Sequence, residues 1–392
     1  MKILVVDDDP DFIRLIKRRI ENQGHEVLTA EDGLKALDII SQNDIRFVIT
    51  DWIMKEMDGA TLCRNIRNTS ISGYVYIILM TSRTNKEDIV TGMEAGADDY
   101  LTKPFHEGEL RTRIKAGVRI LDLEHNLTEK NEIIRKDLEA ARKLQESFLP
   151  AKFPEIENVD FAARFIPSSY VSGDIYNIFR LDEEHIGLYH VDVMGHGVLS
   201  ALFSVSIHQR MSHDLSPYGL IKTPTGSKPF YKINSPLDVA MELNQSLLIE
   251  EYGSYYTMLY AILNTKTGLL TMCRAGHNLP LVLSSDGSFI YIDGGGPPIG
   301  LGIPFNSDEE QTYQLTSGDS LIVFSDGINE CSPSEEADAE YGLNRVKDVL
   351  AGSSNDGLNA SFDALISDLY DFRGTDEFSD DVSIIGLRWN KE

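Results

Sequence analysis

Over residues 1–118, short apolar runs alternate with segments of helical period. Ile3-Leu4-Val5-Val6, Phe47-Val48-Ile49-Thr50 and Tyr76-Ile77-Ile78-Leu79-Met80 are short, evenly apolar runs that read as buried strands. Phe12, Leu15, Ile16 and Ile20 recur at helical spacing, and Gly24 ends that segment. The alternation predicts an α/β doubly wound, five-stranded parallel sheet. In such sheets the site lies beyond the carboxyl ends of the strands. The polar residues fall there: Asp7 and Asp8 after the first strand, Asp51 after the third, Thr81 after the fourth and Lys103 after the fifth.

The pattern then changes. Residues 119–150 carry neither Gly nor Pro before Pro150 and read as one long helix. Ile120, Leu127, Ile134, Ala141 and Phe148 recur every seven residues, and Leu123 and Leu144 fit a second row that Lys130 and Asp137 interrupt. A seven-residue period favours a left-handed coil of two helices, hence a homodimer. The alternative is a helix packed on its own C-terminal domain.

Residues 151–392 form the third region. Strand-like runs cover 159–166, 175–181, 185–193, 257–263, 269–274, 279–283, 320–324 and 382–389. Helical patterns cover 196–213, 236–250, 343–351 and 358–370, the second opened by Ser235 as cap and Pro236 in the first turn. Many strands with few helices predict a layered α+β domain. Residues 214–235, rich in Pro, Gly and Tyr, read as an inserted recognition loop.

Four aspartates border these runs: Asp174, Asp192, Asp326 and Asp380, with Asp381 as the alternative to the last. Convergence would be costly, since two like charges 4 Å apart repel by about 4 kcal/mol at an effective dielectric of 20. Bound cations remove that cost, and all-oxygen ligands select hard ions such as Mg²⁺ or Mn²⁺.

Charge narrows the function. The net charge of −26 is concentrated in residues 151–392, which carry −21 of it. That surface repels a phosphate backbone, so a DNA-binding output is disfavoured and no nucleic-acid partner is expected. Three widely spaced cysteines, Cys63, Cys273 and Cys331, argue for a reducing compartment without a disulfide framework. Met1-Lys2 runs straight into a strand, and no apolar run approaches the ~20 residues of a bilayer span. The expectation is a cytoplasmic protein with no membrane partner.

Residues 1–118 resemble the receiver domain of two-component response regulators. The resemblance implies that Asp51 accepts a phosphoryl group from a sensor histidine kinase and that Asp7, Asp8 and Asp51 surround one Mg²⁺. It also implies that Thr81 bonds the phosphoryl group, Lys103 pairs with it and Tyr100 switches rotamer. Lys55 departs from the family's usual proline, a position that shapes a loop.

Residues 140–390 resemble the metal-dependent, type-2C protein phosphatases, in the branch typified by the SpoIIE and RsbU regulators. The resemblance rests on Ala141–Pro150, Ser172-Gly173-Asp174, Asp192-Val193-Met194-Gly195-His196-Gly197, Ala275-Gly276-His277-Asn278, Ser325-Asp326-Gly327 and Asp380-Asp381-Val382-Ser383. It implies two antiparallel sheets between helix pairs. Asp192 would bridge two Mn²⁺ or Mg²⁺ ions, with Asp174 and the Val193 carbonyl completing one and Asp326 and Asp380 the other. Asp192 and Asp326 then carry the catalysis, direct hydrolysis without a phosphoenzyme. His196 is either a proton donor or simply a helix start, and His277 reads as structural. The usual substrate in this branch is a phosphorylated STAS-type protein, an anti-anti-sigma factor. The competing function is a catalytically silent phosphatase fold that binds a partner when the receiver is phosphorylated.

Overall fold

The computed structural model describes residues 1–69, 73–82, 86–195, 197–247, 253–333 and 339–391. It divides into two compact units, Met1–Arg135 and Lys136–Glu392. Among the described residues no helix is long and apolar enough to cross a membrane.

In the first unit, β1 (Lys2–Val6), β2 (Glu26–Ala30), β3 (Phe47–Asp51), β4 (Tyr76–Thr81) and β5 (Asp99–Thr102) form one sheet in the order β2-β1-β3-β4-β5. Every pairing is parallel. Sheets of this kind are covered on both faces, which is why β1 and β3 are almost unbroken apolar runs. Helix α1 (Pro10–Glu21) buries Ile13, Ile16 and Ile20, and α2 (Gly33–Gln42), α3 (Gly59–Asn68) and α4 (Lys86–Glu94) follow in the alternation. Leu15, expected on that face, is 46% exposed; the stripe turns one step further round the helix than the sequence spacing indicated. Asp9 caps α1 by accepting from the Asp11 N–H at 2.9 Å.

Helix α5 runs unbroken from Glu107 to Glu146. It therefore begins well before residue 119, within the first unit, where Leu110, Ile114 and Leu121 are buried in the core. Ile120, Leu123, Leu127, Ile134 and Leu144 are exposed. The last heptad position, Phe148, lies beyond the helix and packs in the second unit's core, its ring 5.5 Å from that of His208.

The second unit stacks two five-stranded sheets. β6 (Val159–Ile166), β7 (Ile175–Arg180), β8 (His185–Val193), β11 (Tyr256–Asn264), β12 (Leu269–Ala275), β13 (Leu281–Leu283), β14 (Phe289–Tyr291), β15 (Glu310–Gln314), β16 (Ser320–Phe324) and β17 (Val382–Trp389) take the orders β15-β12-β11-β8-β7 and β14-β13-β16-β17-β6. All their pairings are antiparallel. Alternation along β8 explains the layering. Ile186 and Leu188 face the core between the sheets, whereas Tyr189, Val191 and Val193 face helices α6 (Val198–Arg210) and α7 (Pro236–Ser246). Helices Gly342–Gly352 and Leu358–Arg373 cover the other sheet, burying Val346, Leu350, Phe362 and Leu365 against Ile322 and Ile384. Each fully buried Leu, Ile or Phe contributes roughly 1.5–3 kcal/mol over exposure.

The stretch 214–235, expected as a loop, holds a small hairpin of β9 (Lys222–Pro224) and β10 (Tyr231–Ile233). Helix α7 ends at Ser246, and residues 248–250 of the longer expected helix lie outside the described residues.

Candidate functional site

The receiver acids meet where the sheet order doubles back. Asp7 follows β1 and is buried, Asp51 ends β3 and Thr81 ends β4. Asp7, Asp8 and Asp51 each bring a carboxylate oxygen within 4.8 Å of the others. Lys103 Nζ lies 2.8 Å from Asp7 Oδ2 and 2.9 Å from Asp51 Oδ1. It also sits 4.0 Å above the Phe12 ring. Burial raises the Asp51 pKa from its ordinary value, while Lys103 opposes the shift. Three oxygens facing one gap suit a small hard cation. Tyr100 is half-buried on β5, with the Arg113 guanidinium 5.8 Å from its ring centre.

In the second unit, topology brings four strand ends together. Ile175 pairs with Val191, so Asp174 before β7 meets Asp192 near the end of β8. Phe324 pairs with Ile384, so Asp326 beyond β16 meets Asp380 and Asp381 before β17. Gly327 permits that last approach: a Cβ there would stand 2.1 Å from the Asp381 carbonyl oxygen.

The electrostatics of this cluster are strained. Asp192 is pushed up to about 8, first by burial and then by the charges of Asp326, Asp380 and Asp381. Asp174 is held well above the ordinary carboxylate range by burial, then by Asp192 and Asp381. Asp326 is raised, again chiefly by burial. Among the described residues, none of these three is in an ion pair. Nor do three phosphatase acids close to within 4.8 Å of one another, as the receiver acids do. Asp192 is instead in side-chain hydrogen-bond contact with both Asp174 and Asp326. Neighbouring hard oxygen donors whose ionised forms are disfavoured by burial and by one another fit divalent cations, which would favour those ionised forms.

The two adjacent acids on the turn before β17 take different parts. Asp381 is buried and accepts three hydrogen bonds: from the Ser168 N–H at 2.8 Å, the Ser168 hydroxyl at 2.9 Å and the Gly173 N–H at 2.8 Å. Asp380 is exposed, and one of its oxygens accepts the Asp381 N–H at 2.8 Å.

Sequence reasoning missed a supporting layer. The Ser383 hydroxyl donates to Asp174 Oδ2. His190 Nε2 lies 2.8 Å from the same hydroxyl oxygen, which places the ring proton on Nε2. Both residues are fully buried. His277 Nδ1 meets Thr257 Oγ1 at 2.7 Å, and burial pushes its pKa down to about 3, so it is neutral. The signal for Ser383 was its place two residues into β17; for His190 it was a polar residue inside an apolar run. His196, read as a proton donor or helix start, lies outside the described residues.

A parallel sheet with an aspartate pocket, joined to a two-sheet sandwich with acids at one end, defines a receiver coupled to a type-2C phosphatase fold. The chain belongs to the SpoIIE family: the model for Stage II sporulation protein E matches residues 182–390, and the response regulator receiver domain model matches residues 3–115. Response regulator MprA of Mycobacterium sp. (strain KMS) is 40% identical over 119 residues, 30% of this chain and 51% of that protein. The alkaline phosphatase synthesis transcriptional regulatory protein PhoP of Bacillus subtilis is 36% identical over 118 residues, 30% of this chain and 48% of that protein. The chain thus spans about half the length of the curated relatives it matches. The SiaA-PP2C domain of Pseudomonas aeruginosa aligns over 67% of this chain and 99% of that domain, with a TM-score of 0.54 and 19% identity. That likeness shows the fold. The chain thus carries a response regulator receiver domain followed by a SpoIIE domain.

Proposed function

We propose that this protein hydrolyses phosphoserine or phosphothreonine on a partner protein with the help of divalent cations, under the control of Asp51 phosphorylation. The observation that carries the reading is the mutually repelling set of buried Asp174 and half-buried Asp192 and Asp326, with exposed Asp380 beside it. Asp192, lying between its neighbours, is the residue to hold both of two Mn²⁺ or Mg²⁺ ions. Asp174 and the Val193 carbonyl serve one side, and Asp326 and Asp380 the other. When bound, such a pair supplies a water acidic enough to lose its proton near neutral pH and positive charge for the phosphoryl oxygens. The chain's own part is positional: Ser383 orients Asp174, Asp381 ties down residues 168–173, and Gly327 lets Asp326 approach.

In the receiver, Asp51 is the acceptor, with Asp7 and Asp8 holding one Mg²⁺, Thr81 on the phosphoryl oxygens and Lys103 as counter-ion. Tyr100 reports the change. The substrate class is a STAS-type phosphoprotein, which rests on the family alone. The exposed apolar positions of α5, Ile120, Leu123, Leu127 and Ile134, support a homodimer through the connector. We assign the domains as 1–118, 119–150 and 151–392. The acidic second half fits a cytoplasmic protein partner rather than nucleic acid.

The test is phosphate release from a phosphopeptide with and without Mn²⁺. Asp192→Asn or Asp326→Ala should abolish it, and Asp51→Asn should abolish the response to acetyl phosphate. Release that survives both chelation and the two site substitutions would leave the scaffold reading in its place.

A further inference from the structure

Between Leu121 and Glu146 the connector helix buries a single side chain, and it is polar: Gln145, 6% exposed, in the last turn of α5. Its amide meets both backbone groups of one residue. The Ser172 N–H donates to Gln145 Oε1 at 2.9 Å, and Gln145 Nε2 donates to the Ser172 carbonyl at 2.6 Å. Gln145 Nε2 also donates to Ser204 Oγ of α6 at 3.2 Å. A two-point amide pairing of this kind fixes a loop in orientation as well as position, as a rung does between two strands.

Ser172 in turn touches the metal-site acid. Its hydroxyl oxygen accepts the Asp174 N–H at 3.0 Å. Gly173 between them is pressed against Val193, where a Cβ would stand 2.8 Å from the Val193 carbonyl oxygen. On its far side the same glycine's N–H is held by Asp381. The loop carrying Asp174 is thus clamped from one side by the connector and from the other by the β17 turn. Buried amide and carbonyl groups left unpaired are costly, so the clamp is strongly preferred whenever the last turn of α5 is docked.

We propose that Gln145 is a positioning residue for the metal centre: it sets where Asp174 and the Val193 carbonyl stand relative to Asp192. The last turn of the connector is then part of the cation site, and its docking decides how tightly the cation is held. The inference rests on the reading of Asp174 as a cation ligand.

The experiment is calorimetric titration of Mn²⁺ into the full chain, alongside kcat and KM for a small aryl phosphate. Gln145→Ala should weaken Mn²⁺ binding by about 10- to 100-fold, the usual consequence of losing a residue that orients a ligand. It should lower kcat at limiting Mn²⁺ with KM unchanged, and excess Mn²⁺ should restore kcat. Ser172→Ala keeps the pairing with Gln145 and removes only the bond to Asp174, so it should weaken Mn²⁺ binding in the same direction. It also serves if Gln145→Ala does not fold. Mn²⁺ affinity within twofold of the parent in either folded variant would overturn the proposal. The underlying reading fails separately, if the parent itself takes up no Mn²⁺ beyond the receiver site or if Asp174→Asn binds as the parent does.

Discussion

In the receiver, the ammonium of Lys103 stands between Asp7 and Asp51, at 2.8 and 2.9 Å. In the phosphatase unit, Asp174, Asp192 and Asp326 have acidic neighbours and hydroxyls but no ion pair among the described residues. Both sites sit at strand ends and use the same side chain. The difference is that the receiver carries a cation in its own sequence, whereas the phosphatase acids have none and are instead pushed towards their protonated forms. A built-in cation offsets part of the charge of the acids around it. A cluster without one leaves burial and like charges to disfavour the ionised form of each acid.

The largest expected effect lies in that acid cluster. Asp192→Asn should lower phosphate release by about 10³-fold or more, because several kcal/mol of charge stabilisation are at stake and 1.36 kcal/mol is tenfold. Activity within tenfold of the parent would break the contrast. Next is the turn before β17. Asp381→Ala strips the partner from two backbone N–H groups and a hydroxyl, so its denaturant midpoint should fall by about 3 kcal/mol equivalent at unchanged slope. Asp380→Ala, at an exposed position, should cost under about 0.5 kcal/mol of stability while still impairing phosphate release. Equal destabilisation by the two would contradict their separate parts. A smaller effect should follow in the receiver. Lys103→Met makes that pocket resemble the phosphatase cluster, so its Mg²⁺ affinity should tighten by about tenfold. Trp52, next to Asp51, is buried and offers a fluorescence readout; unchanged or weaker binding would show that the lysine is not the balancing cation.

How much of this was legible in the sequence depended on how local the cause was. The receiver sheet and the residues at its strand ends could be read directly, because each lies in or beside an apolar run. Most strands of the phosphatase sandwich could be read for the same reason. The edge strand Glu310–Gln314 could not, since it is polar at nearly every position. The hairpin within 214–235 is three residues a side and hides among Pro and Gly. Leu15 was misplaced because spacing alone cannot say which side of a stripe meets the sheet. Asp380 and Asp381 are indistinguishable as letters; only the fold brings Ser168 and Gly173 to one of them. Gln145 belonged to a matching motif, but its pairing with Ser172 spans 27 residues and becomes visible only when α5 docks.

The central claim is that divalent cations relieve a strained acid cluster, and it is tested most directly by the thermal midpoint of the full chain against pH, with chelator and with Mn²⁺. The folded-state pKa of Asp192, about 8, lies above its unfolded value of about 4, so the fold binds this proton more tightly than the unfolded chain does. Its stabilising contribution is complete below about pH 4 and is lost as pH rises through 8. The chelated protein should lose midpoint steadily from pH 5 to 8.5, Mn²⁺ should raise the midpoint more at each higher pH, and Asp192→Asn should flatten the difference. A stabilisation by Mn²⁺ that is absent, or equally absent of pH dependence in the parent and in Asp192→Asn, would contradict it.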